Sequence, residues 1–408
     1  MKILFANKYF YRKGGAEYVF FDSAKLLENK GHKIIFFSMH HPKNLTSAYN
    51  DYFVSLIDYE KGGIKNKVDV SVKLLYSFEA KRKMEALIKK EKPDVAHLHN
   101  IYHQISPSII HTLKKYHIPI VMTLHDYKIT CASYHMLANG RICEACKDGK
   151  YYQCFLKRCV KESIVKSLLN TAEMYLHHKL LHIYDLVDIF ISPSMFLKNK
   201  AEEMGFKGKI MYLPNFVNLQ DYDPQYNWRE NSIVYFGRLS KEKGLDTLIE
   251  AMEGLNIKLK VIGEGPIKER LESRVRSLEL KNIEFLGYKS GEELKNEIRK
   301  SMFAILPSEW YENNPRAIIE GFALGKPVIG ARIGGIPELV KDNETGLTFE
   351  AGNSEDLMAK MIHLSKNTAE IEKMGLNARR KVEEEFSTEI HYKKLTNIYR
   401  SALNKRFC

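Results

Sequence analysis

The sequence predicts an α/β protein made of two doubly wound, Rossmann-like domains. Its 408 residues suit two domains. Largely apolar strands alternate with amphipathic helices, which is typical of parallel sheets covered on both faces. This series occurs twice, and a stretch rich in Pro, Asn and Asp at 214–224 separates the two copies. We therefore predict one domain over 1–215, a second over 216–386, and a helix over 387–408 that packs back on the first domain.

The first series opens with an apolar segment, 1–7, which predicts a buried strand rather than a signal peptide. A helix over 14–30 follows and ends at Gly31, a common helix stop. No apolar stretch reaches the roughly 18 residues of a membrane-spanning helix, so we expect a cytoplasmic protein that is soluble or peripheral to the inner face of a membrane. Further strands are predicted over 33–39, 94–99, 119–125 and 188–192.

The second series supplies six more strands with helices between most of them. Open α/β sheets bind ligands at the carboxyl ends of their strands, so polar residues at those ends are the first candidates for a site. The predicted strands are 232–236, 258–262, 283–286, 303–306, 327–330 and 346–349, and the predicted helices include 245–253, 266–278 and 317–324.

Two strand ends carry residues suited to phosphate. Gly14 and Gly15 open the first helix, where free N–H groups and the absence of a side chain favour contact with a diphosphate; the alternative is a plain tight turn. Arg238 and Lys243 follow the strand over 232–236. A guanidinium matches phosphate oxygens, and the two cations together can neutralise a diphosphate leaving group. The alternative for them is a solvated charged loop.

Two carboxylates flank the start of the helix predicted after the strand over 303–306. Pro315 suits the first helical turn, because its missing N–H costs nothing there. Glu312 then lies before the helix and Glu320 about two turns along, so they cannot be close neighbours. A nucleotide sugar is long enough to use both, with sugar hydroxyls at one end and ribose hydroxyls at the other. The alternative is that Glu320 is a surface glutamate.

These residues form a specific pattern: Glu312 and Glu320 have the spacing E-x7-E, and residues 325–329 follow as Gly-Lys-Pro-Val-Ile. With Gly237-Arg238-Leu239 and Lys243-Gly244, the pattern resembles the retaining glycosyltransferases of family 4 over nearly the whole chain. The resemblance implies the GT-B fold, in which two Rossmann-like domains face each other across a cleft that holds the reaction site.

The resemblance also implies roles for single residues. Arg238 and Lys243 would hold the donor diphosphate, Glu312 would contact the donor sugar, and Glu320 the ribose. His125, at the end of the strand over 119–125, would lie near the anomeric carbon; the alternative is a histidine bonded to its neighbour Asp126. The implied catalytic residues are His125, Arg238, Lys243 and Glu312, and the implied donor-binding residues are Gly14, Gly15, Arg238, Lys243, Glu312, Asn313, Asn314 and Glu320.

One departure from the family concerns the loop before the helix. Many members have Gly-Phe-Gly where this chain has Asn313-Asn314-Pro315. Because proline has no N–H to donate, the hydrogen bonds to sugar and phosphate must be arranged differently. The departure bears on which donor sugar is used and not on the fold.

Five of the six cysteines fall in one window, from Cys131 to Cys159. Cys143, Cys146, Cys154 and Cys159 have the short spacings that suit a structural zinc ion, and reduced or redox-labile thiols are the alternative. The window follows His125 as an exposed insertion that could cover the acceptor side of the cleft.

The positive charge is unevenly distributed. Residues 1–215 contain 33 Lys+Arg and 20 Asp+Glu, so the whole formal excess of +13 lies in the first half. Such a half suits an anionic partner, membrane lipid or nucleic acid, and of the two we expect lipid. The candidates are Lys81-Arg82-Lys83, Lys89-Lys90 and the aromatic and basic stretch 8–13. The alternative is an ordinary lysine-rich surface.

Together these features predict a retaining transferase that moves a sugar from a nucleoside-diphosphate sugar to a glycan or lipid-linked acceptor in polysaccharide or glycolipid biosynthesis. No cofactor is expected to be required for catalysis, because Arg238 and Lys243 neutralise the phosphates. The alternatives are an epimerase or a phosphorylase on the same layout, and a nucleotide-sugar-binding protein without activity.

Overall fold

The computed structural model describes residues 1–57 and 73–404. The last four residues of the predicted C-terminal helix, 405–408, which include Cys408, lie outside the described residues. The described chain divides into two compact units. The first contains Met1–Asn139, Cys143–Leu213 and the C-terminal residues from Tyr392 onward. The second contains Gly140–Ile142 and Pro214–His391.

A parallel sheet forms the centre of the first unit. The strands up to residue 213 are β1 (Lys2–Ala6), β2 (Lys33–Phe37), β3 (Val95–Leu98), β4 (Ile120–Thr123), β5 (Leu137–Ala138), β6 (Arg141–Ile142), β7 (Ile189–Ser192) and β8 (Ile210–Tyr212). Within the described residues, six of them pair in the order β2-β1-β3-β4-β7-β8, and β5 and β6 form a separate two-stranded sheet. Strands β3, β4 and β7 are buried at every position, as strands covered on both faces must be.

Helices surround this sheet. They are α1 (Gly15–Asn29), α2 (Phe78–Glu91), α3 (Ser108–Lys115), α4 (Tyr152–Leu156), α5 (Ile164–Tyr175) and α6 (Met195–Glu203). Serine hydroxyls at Ser77, Ser163 and Ser194 accept hydrogen bonds from the first-turn N–H groups of α2, α5 and α6, which satisfies donors that have no partner inside the helix. A five-residue π-helix, Leu176–Leu180, continues α5.

The second unit repeats the same architecture. Its strands are β9 (Ser232–Phe236), β10 (Lys258–Ile262), β11 (Ile283–Gly287), β12 (Ala304–Leu306), β13 (Val328–Ala331) and β14 (Gly346–Phe349). They are all parallel, in the order β11-β10-β9-β12-β13-β14, which is a doubly wound strand order. The helices are α7 (Leu245–Ala251), α8 (Lys268–Ser277), α9 (Gly291–Lys300), α10 (Arg316–Ala323), α11 (Ile336–Leu339), α12 (Ser354–Lys366), α13 (Thr368–Glu385) and α14 (Thr388–Asn404).

The last helix, α14, contributes to the core of the first unit. Leu395, Ile398 and Tyr399 are buried in the same apolar cluster as Ile3 and Phe5 of β1. Tyr399 also bonds a buried histidine of β3, described below.

The predicted fold class is confirmed. The predicted strands are present, and the one addition to the first sheet is β8, a three-residue strand at the edge of that sheet whose apolar run is too short to stand out in the sequence. None of the helices in residues 1–57 and 73–404 is long and apolar enough to cross a membrane.

Candidate active site

The first site segment of the second unit is the loop after β9. The strand is buried along its whole length, so the polar residues begin where it leaves the core. Arg238 is exposed, and its carbonyl oxygen accepts a hydrogen bond of 2.8 Å from the Tyr235 hydroxyl. This bond holds the backbone at Arg238 while its guanidinium faces solvent.

Gly244 determines where Lys243 lies. It has a φ of +68°, and a Cβ atom at this position would lie 1.8 Å from the carbonyl oxygen of Pro307. Both facts require glycine. The contact brings the loop after β9 against the loop after β12, which carries Glu312.

Lys243 and Glu312 form an ion pair. Lys243 Nζ lies 2.5 Å from Glu312 Oε1, and the two side chains are 18% and 7% exposed. The Ser308 hydroxyl donates to the same oxygen at 2.6 Å, and Lys243 Nζ lies 5.3 Å from the centre of the Trp310 ring. The structure therefore brings together two predicted site residues that are 69 positions apart, and it adds Ser308 and Trp310, whose roles the sequence did not reveal.

The pair controls the ionisation of Glu312. Burial alone would raise the pKa of this carboxyl, but the charge of Lys243 and hydrogen bonds from Lys243, Ser308 and Trp310 outweigh burial, so its pKa is lowered. Glu312 is therefore a carboxylate at neutral pH. Because its folded pKa lies below the unfolded value of about 4.3, its contribution to stability is complete above that value and is lost as the pH falls through the folded pKa.

Glu320 lies inside α10, as predicted. Its Oε1 is 3.2 Å from Arg316 Nη2, one turn earlier on the same helix, and its side chain is 21% exposed. It is therefore neither a free surface glutamate nor a neighbour of Glu312. Pro315 was expected in the first helical turn, but it is the residue before the helix, with φ −67° and ψ 115°. Its ψ is extended rather than helical, so the helix starts at Arg316.

Some polar groups of the Asn313-Asn314 segment already form hydrogen bonds within the protein. Asn314 is buried; its Oδ1 accepts a hydrogen bond of 3.0 Å from the backbone N–H of Asn215, and its carbonyl oxygen accepts one of 2.7 Å from Asn215 Nδ2. Its own amide nitrogen, Nδ2, is buried with no hydrogen-bond partner among the described residues. A buried donor without a partner is costly, so this nitrogen marks a position where a ligand oxygen would be stabilised.

In the first unit, Gly14 and Gly15 form the start of α1. Gly14 has an extended backbone, with φ −165°, and neither residue has a left-handed φ. A Cβ atom at Gly15 would meet no other atom within 4 Å. The backbone conformation therefore does not require glycine at either position, and the described residues leave room for a side chain at position 15.

His125 follows β4 and is bonded to another histidine. Its Nε2 lies 2.8 Å from His99 Nδ1, with the two rings stacked. Asp126 is not its partner, because Asp126 Oδ1 accepts from the backbone N–H of Lys128. The chain of contacts continues inward: the His97 and His99 rings lie 4.4 Å apart, and His97 bonds Tyr399 and Thr123, each at 2.7 Å. The sequence analysis singled out His125 and did not predict its pairing with His99.

His125 is neutral near pH 7. Burial lowers its pKa to about 3, and the nearby charge of Lys8 adds to the effect. A neutral imidazole in this position can accept or donate a hydrogen bond, but it does not bring a positive charge to the site.

A buried ion pair fixes the segment after His125. Lys128 Nζ lies 2.6 Å from Glu173 Oε2 of α5, and both side chains are 2% exposed. His103 lies 3.0 Å from the same oxygen. Burial alone would raise the pKa of Glu173, but Lys128 and His103 outweigh it and lower the pKa. The pair ties α5 of the insertion to the segment that directly follows His125.

The predicted zinc ligands lie in this insertion. Cys131, Cys143, Cys146, Cys154 and Cys159 are free thiols, and no group of three or more His, Cys, Asp or Glu side chains in residues 1–57 and 73–404 is arranged to hold a metal ion. Burial raises the pKa of the Cys146 thiol to about 12, and neighbouring Cys131, Cys159 and Cys143 add to it. Zinc binds thiolates, and the zinc site stays a prediction.

The sequence model of Glycosyltransferase Family 4 matches residues 13–221, about half of the chain. The chain belongs to this family. The model for glycosyl transferases group 1 matches residues 220–381, which contain Arg238, Lys243, Glu312 and Glu320.

Relatives of this family 4 glycosyltransferase include one of nearly equal length. The N-acetyl-alpha-D-glucosaminyl L-malate synthase of Bacillus anthracis is 25% identical over 96% of this chain and 94% of its own. An uncharacterized glycosyltransferase of Methanocaldococcus jannaschii is 32% identical over 51% of this chain, and the amylovoran biosynthesis glycosyltransferase AmsK of Erwinia amylovora is 32% identical over 41%. The match spans 56% and 44% of those two relatives, about half their lengths.

Solved structures confirm the GT-B fold of the glycosyltransferase. Sucrose-phosphate synthase of Thermosynechococcus elongatus superposes with a TM-score of 0.73 at 17% identity, over 99% of this chain and 100% of the other. The Anabaena protein HepE in complex with UDP-glucose gives 0.68 at 16% identity, over 98% and 100%. At these identities the likeness shows the fold alone.

The histidine pair yields a testable prediction. Replacing His99 with Phe removes the bond to His125 Nε2, whereas His99→Asn keeps a polar atom near the position of Nδ1. We expect donor turnover to fall about 10-fold to 100-fold in His99→Phe and to be largely restored in His99→Asn, with similar melting temperatures for the two variants. Equal turnover in both variants would show that the bond does not position His125.

The cysteine prediction is tested by elemental analysis. Purified under reducing conditions without chelator, the protein is expected to carry about one zinc ion per chain if Cys143, Cys146, Cys154 and Cys159 form the site. Protein that contains no zinc, keeps its melting temperature and has freely alkylated cysteines would contradict the prediction. The cysteines would then be free thiols, as in the described structure.

Proposed function

We propose that this glycosyltransferase transfers a sugar, with retention of configuration, from a nucleoside-diphosphate sugar to a glycan or lipid-linked acceptor in polysaccharide or glycolipid biosynthesis. The observation that carries the proposal is the Lys243–Glu312 pair beside the exposed Arg238, at the carboxyl ends of β9 and β12. A cation suited to phosphate and a carboxylate suited to sugar hydroxyls are thus in contact, with a second cation on the same loop, at the edge where doubly wound sheets bind ligands.

Each part of the donor has a suitable group in the second unit. Arg238 and Lys243 would bind the diphosphate oxygens, and Glu312, held ionised, would accept hydrogen bonds from sugar hydroxyls. Glu320 would accept from the ribose hydroxyls while Arg316 holds its Oε1. The unpartnered Nδ2 of Asn314 supplies a buried donor, a role that Asn314 can fill in place of the backbone N–H that Pro315 lacks.

In the first unit, the glycines at the start of α1 fit close approach of a phosphate. Among the described residues, nothing lies within 4 Å of the position that a Cβ atom at Gly15 would take, which leaves room for a ligand. Helix N–H groups favour an anion at this end. Burial raises the pKa of Glu17 in the first turn, which disfavours the negative charge that would repel a phosphate.

The chemistry follows from charge. The bond between the anomeric carbon and the phosphate oxygen breaks, and the nucleoside diphosphate leaves with the bonding electrons. The acceptor oxygen forms the new bond on the same face, and its proton passes to an oxygen of the departing diphosphate. Arg238 and Lys243 stabilise the charge that develops on that group, which is commonly worth several kcal/mol in a preorganised site. His125, for which the family pattern implies a place near the anomeric carbon, is neutral and held by His99.

Relatives support this substrate class. AmsK is named for amylovoran biosynthesis, and HepE has been solved with UDP and with UDP-glucose. Both facts favour a nucleotide-sugar donor and a polysaccharide product over an epimerase, a phosphorylase or a binding protein without activity.

The proposal is tested with a panel of nucleoside-diphosphate sugars. The wild-type protein should bind at least one and hydrolyse it slowly without acceptor. Arg238→Ala should lower turnover about 100-fold, whereas Arg229→Ala, a change at an exposed arginine away from the site residues, should not. Gly15→Ala should weaken donor binding without lowering the melting temperature. Conversion of the donor to an isomer would indicate an epimerase, and wild-type turnover in Arg238→Ala would remove the diphosphate assignment.

A further inference from the structure

The insertion after β4 exposes an unusual apolar surface. Helices α4 and α5 are consecutive and contact each other, and together with the turn between them they span residues 152–175; we call this segment the insertion hairpin. Five large apolar or aromatic side chains on it are exposed: Tyr152 by 45%, Leu156 by 62%, Ile164 by 47%, Val165 by 76% and Leu168 by 52%. Single exposed apolar residues are common, but a group on two adjacent elements indicates an interaction surface.

The same segment is positively charged. Five basic residues, Lys150, Lys157, Arg158, Lys161 and Lys166, are exposed in or beside the hairpin, against one exposed acidic residue, Glu162. In the part of the chain that the structure describes, none of the five cations forms a salt bridge. The charge is therefore available to an anionic partner.

The hairpin is well anchored. Cys154 and Ser167 are buried, the Ser167 hydroxyl accepts a hydrogen bond of 3.1 Å from the backbone N–H of Val160, and Thr171 donates to the carbonyl oxygen of Tyr151 at 3.3 Å. On the inner side, Glu173 makes the buried pair with Lys128. The apolar side chains are thus presented by an ordered element whose other side is buried in the protein.

We propose that the insertion hairpin docks the protein on an anionic membrane surface. Its apolar side chains would enter the boundary between headgroups and acyl chains, as those of interfacial amphipathic helices do, and its five cations would lie at lipid phosphates, where they strengthen binding to an anionic surface. The combination of exposed apolar residues and unpaired cations is what selects a lipid surface. This inference rests on the proposed function and deepens it, because it names the membrane surface from which a lipid-linked acceptor would be taken.

The basic segments singled out in the sequence are less suitable. Phe10 of the stretch 8–13 is buried in the core, Lys13 lies over the Tyr9 ring, and Lys89 pairs with Glu85. Lys83 donates to the carbonyl oxygen of Phe53. These contacts leave fewer free cations and fewer exposed apolar residues than the hairpin has.

The test is co-sedimentation of the full chain with vesicles. One set contains equimolar phosphatidylcholine and phosphatidylglycerol, and the other only phosphatidylcholine. We expect binding to the anionic vesicles that weakens with salt. Val165→Ser/Leu168→Ser should weaken it at least about tenfold, and Lys157→Glu/Lys161→Glu should do so as well. The matched control, Tyr288→Ser/Leu376→Ser, removes two exposed residues of the second unit and should bind as the wild type does.

Donor hydrolysis and melting temperature are measured in parallel and should be unchanged in all of these variants, so a failure of docking is distinguished from a failure of the proposed activity. Wild-type binding in Val165→Ser/Leu168→Ser, or no binding of the wild type to either vesicle, would overturn the inference. Concentration-dependent self-association that the same two substitutions abolish would assign the surface to a second copy of the chain instead.

Discussion

In both six-stranded sheets of the described chain the strands run parallel, and this constraint arranges the rest of the molecule. Parallel strands with both faces covered are largely apolar, so most polar side chains lie in the loops at their ends. In the second unit the loops after β9 and β12 are neighbours because these strands pair. Arg238, Lys243 and Glu312 therefore meet at one edge although they are far apart in sequence.

At that edge, the Lys243–Glu312 pair contributes both to the stability of the fold and to the chemistry of the site. Burying a carboxylate is costly unless a cation and hydrogen bonds compensate, and Lys243 and Ser308 do so here. The same pairing keeps Glu312 ionised, and it holds Lys243, which lies on the same loop as Arg238, against the loop after β12. The first unit shows a comparable arrangement, in which His99 holds His125, and Lys128 with Glu173 fixes the segment that follows it.

Much of this could be predicted from residue pattern. The alternation of apolar strands with amphipathic helices predicted the two sheets, and the pattern over 317–324 predicted the helix that carries Glu320. The partners could not be predicted, because contacts such as Lys243 with Glu312 or His99 with His125 depend on strand order and loop path. The predicted position of Pro315 was wrong by one residue, because its extended ψ places it just before the helix. The apolar surface of the insertion hairpin was hidden because Val165 and Leu168 have the spacing of core residues.

The most direct test of this account is a double-mutant cycle on the Lys243–Glu312 pair. The free energy of unfolding in urea is measured at neutral pH for the wild type, Lys243→Met, Glu312→Gln and the double variant. The account predicts a coupling of about 1–3 kcal/mol, compared with under about 1 kcal/mol for the exposed Lys268–Glu264 pair. Additive effects of the two substitutions would contradict it, because they would show that the site is not built on this pair.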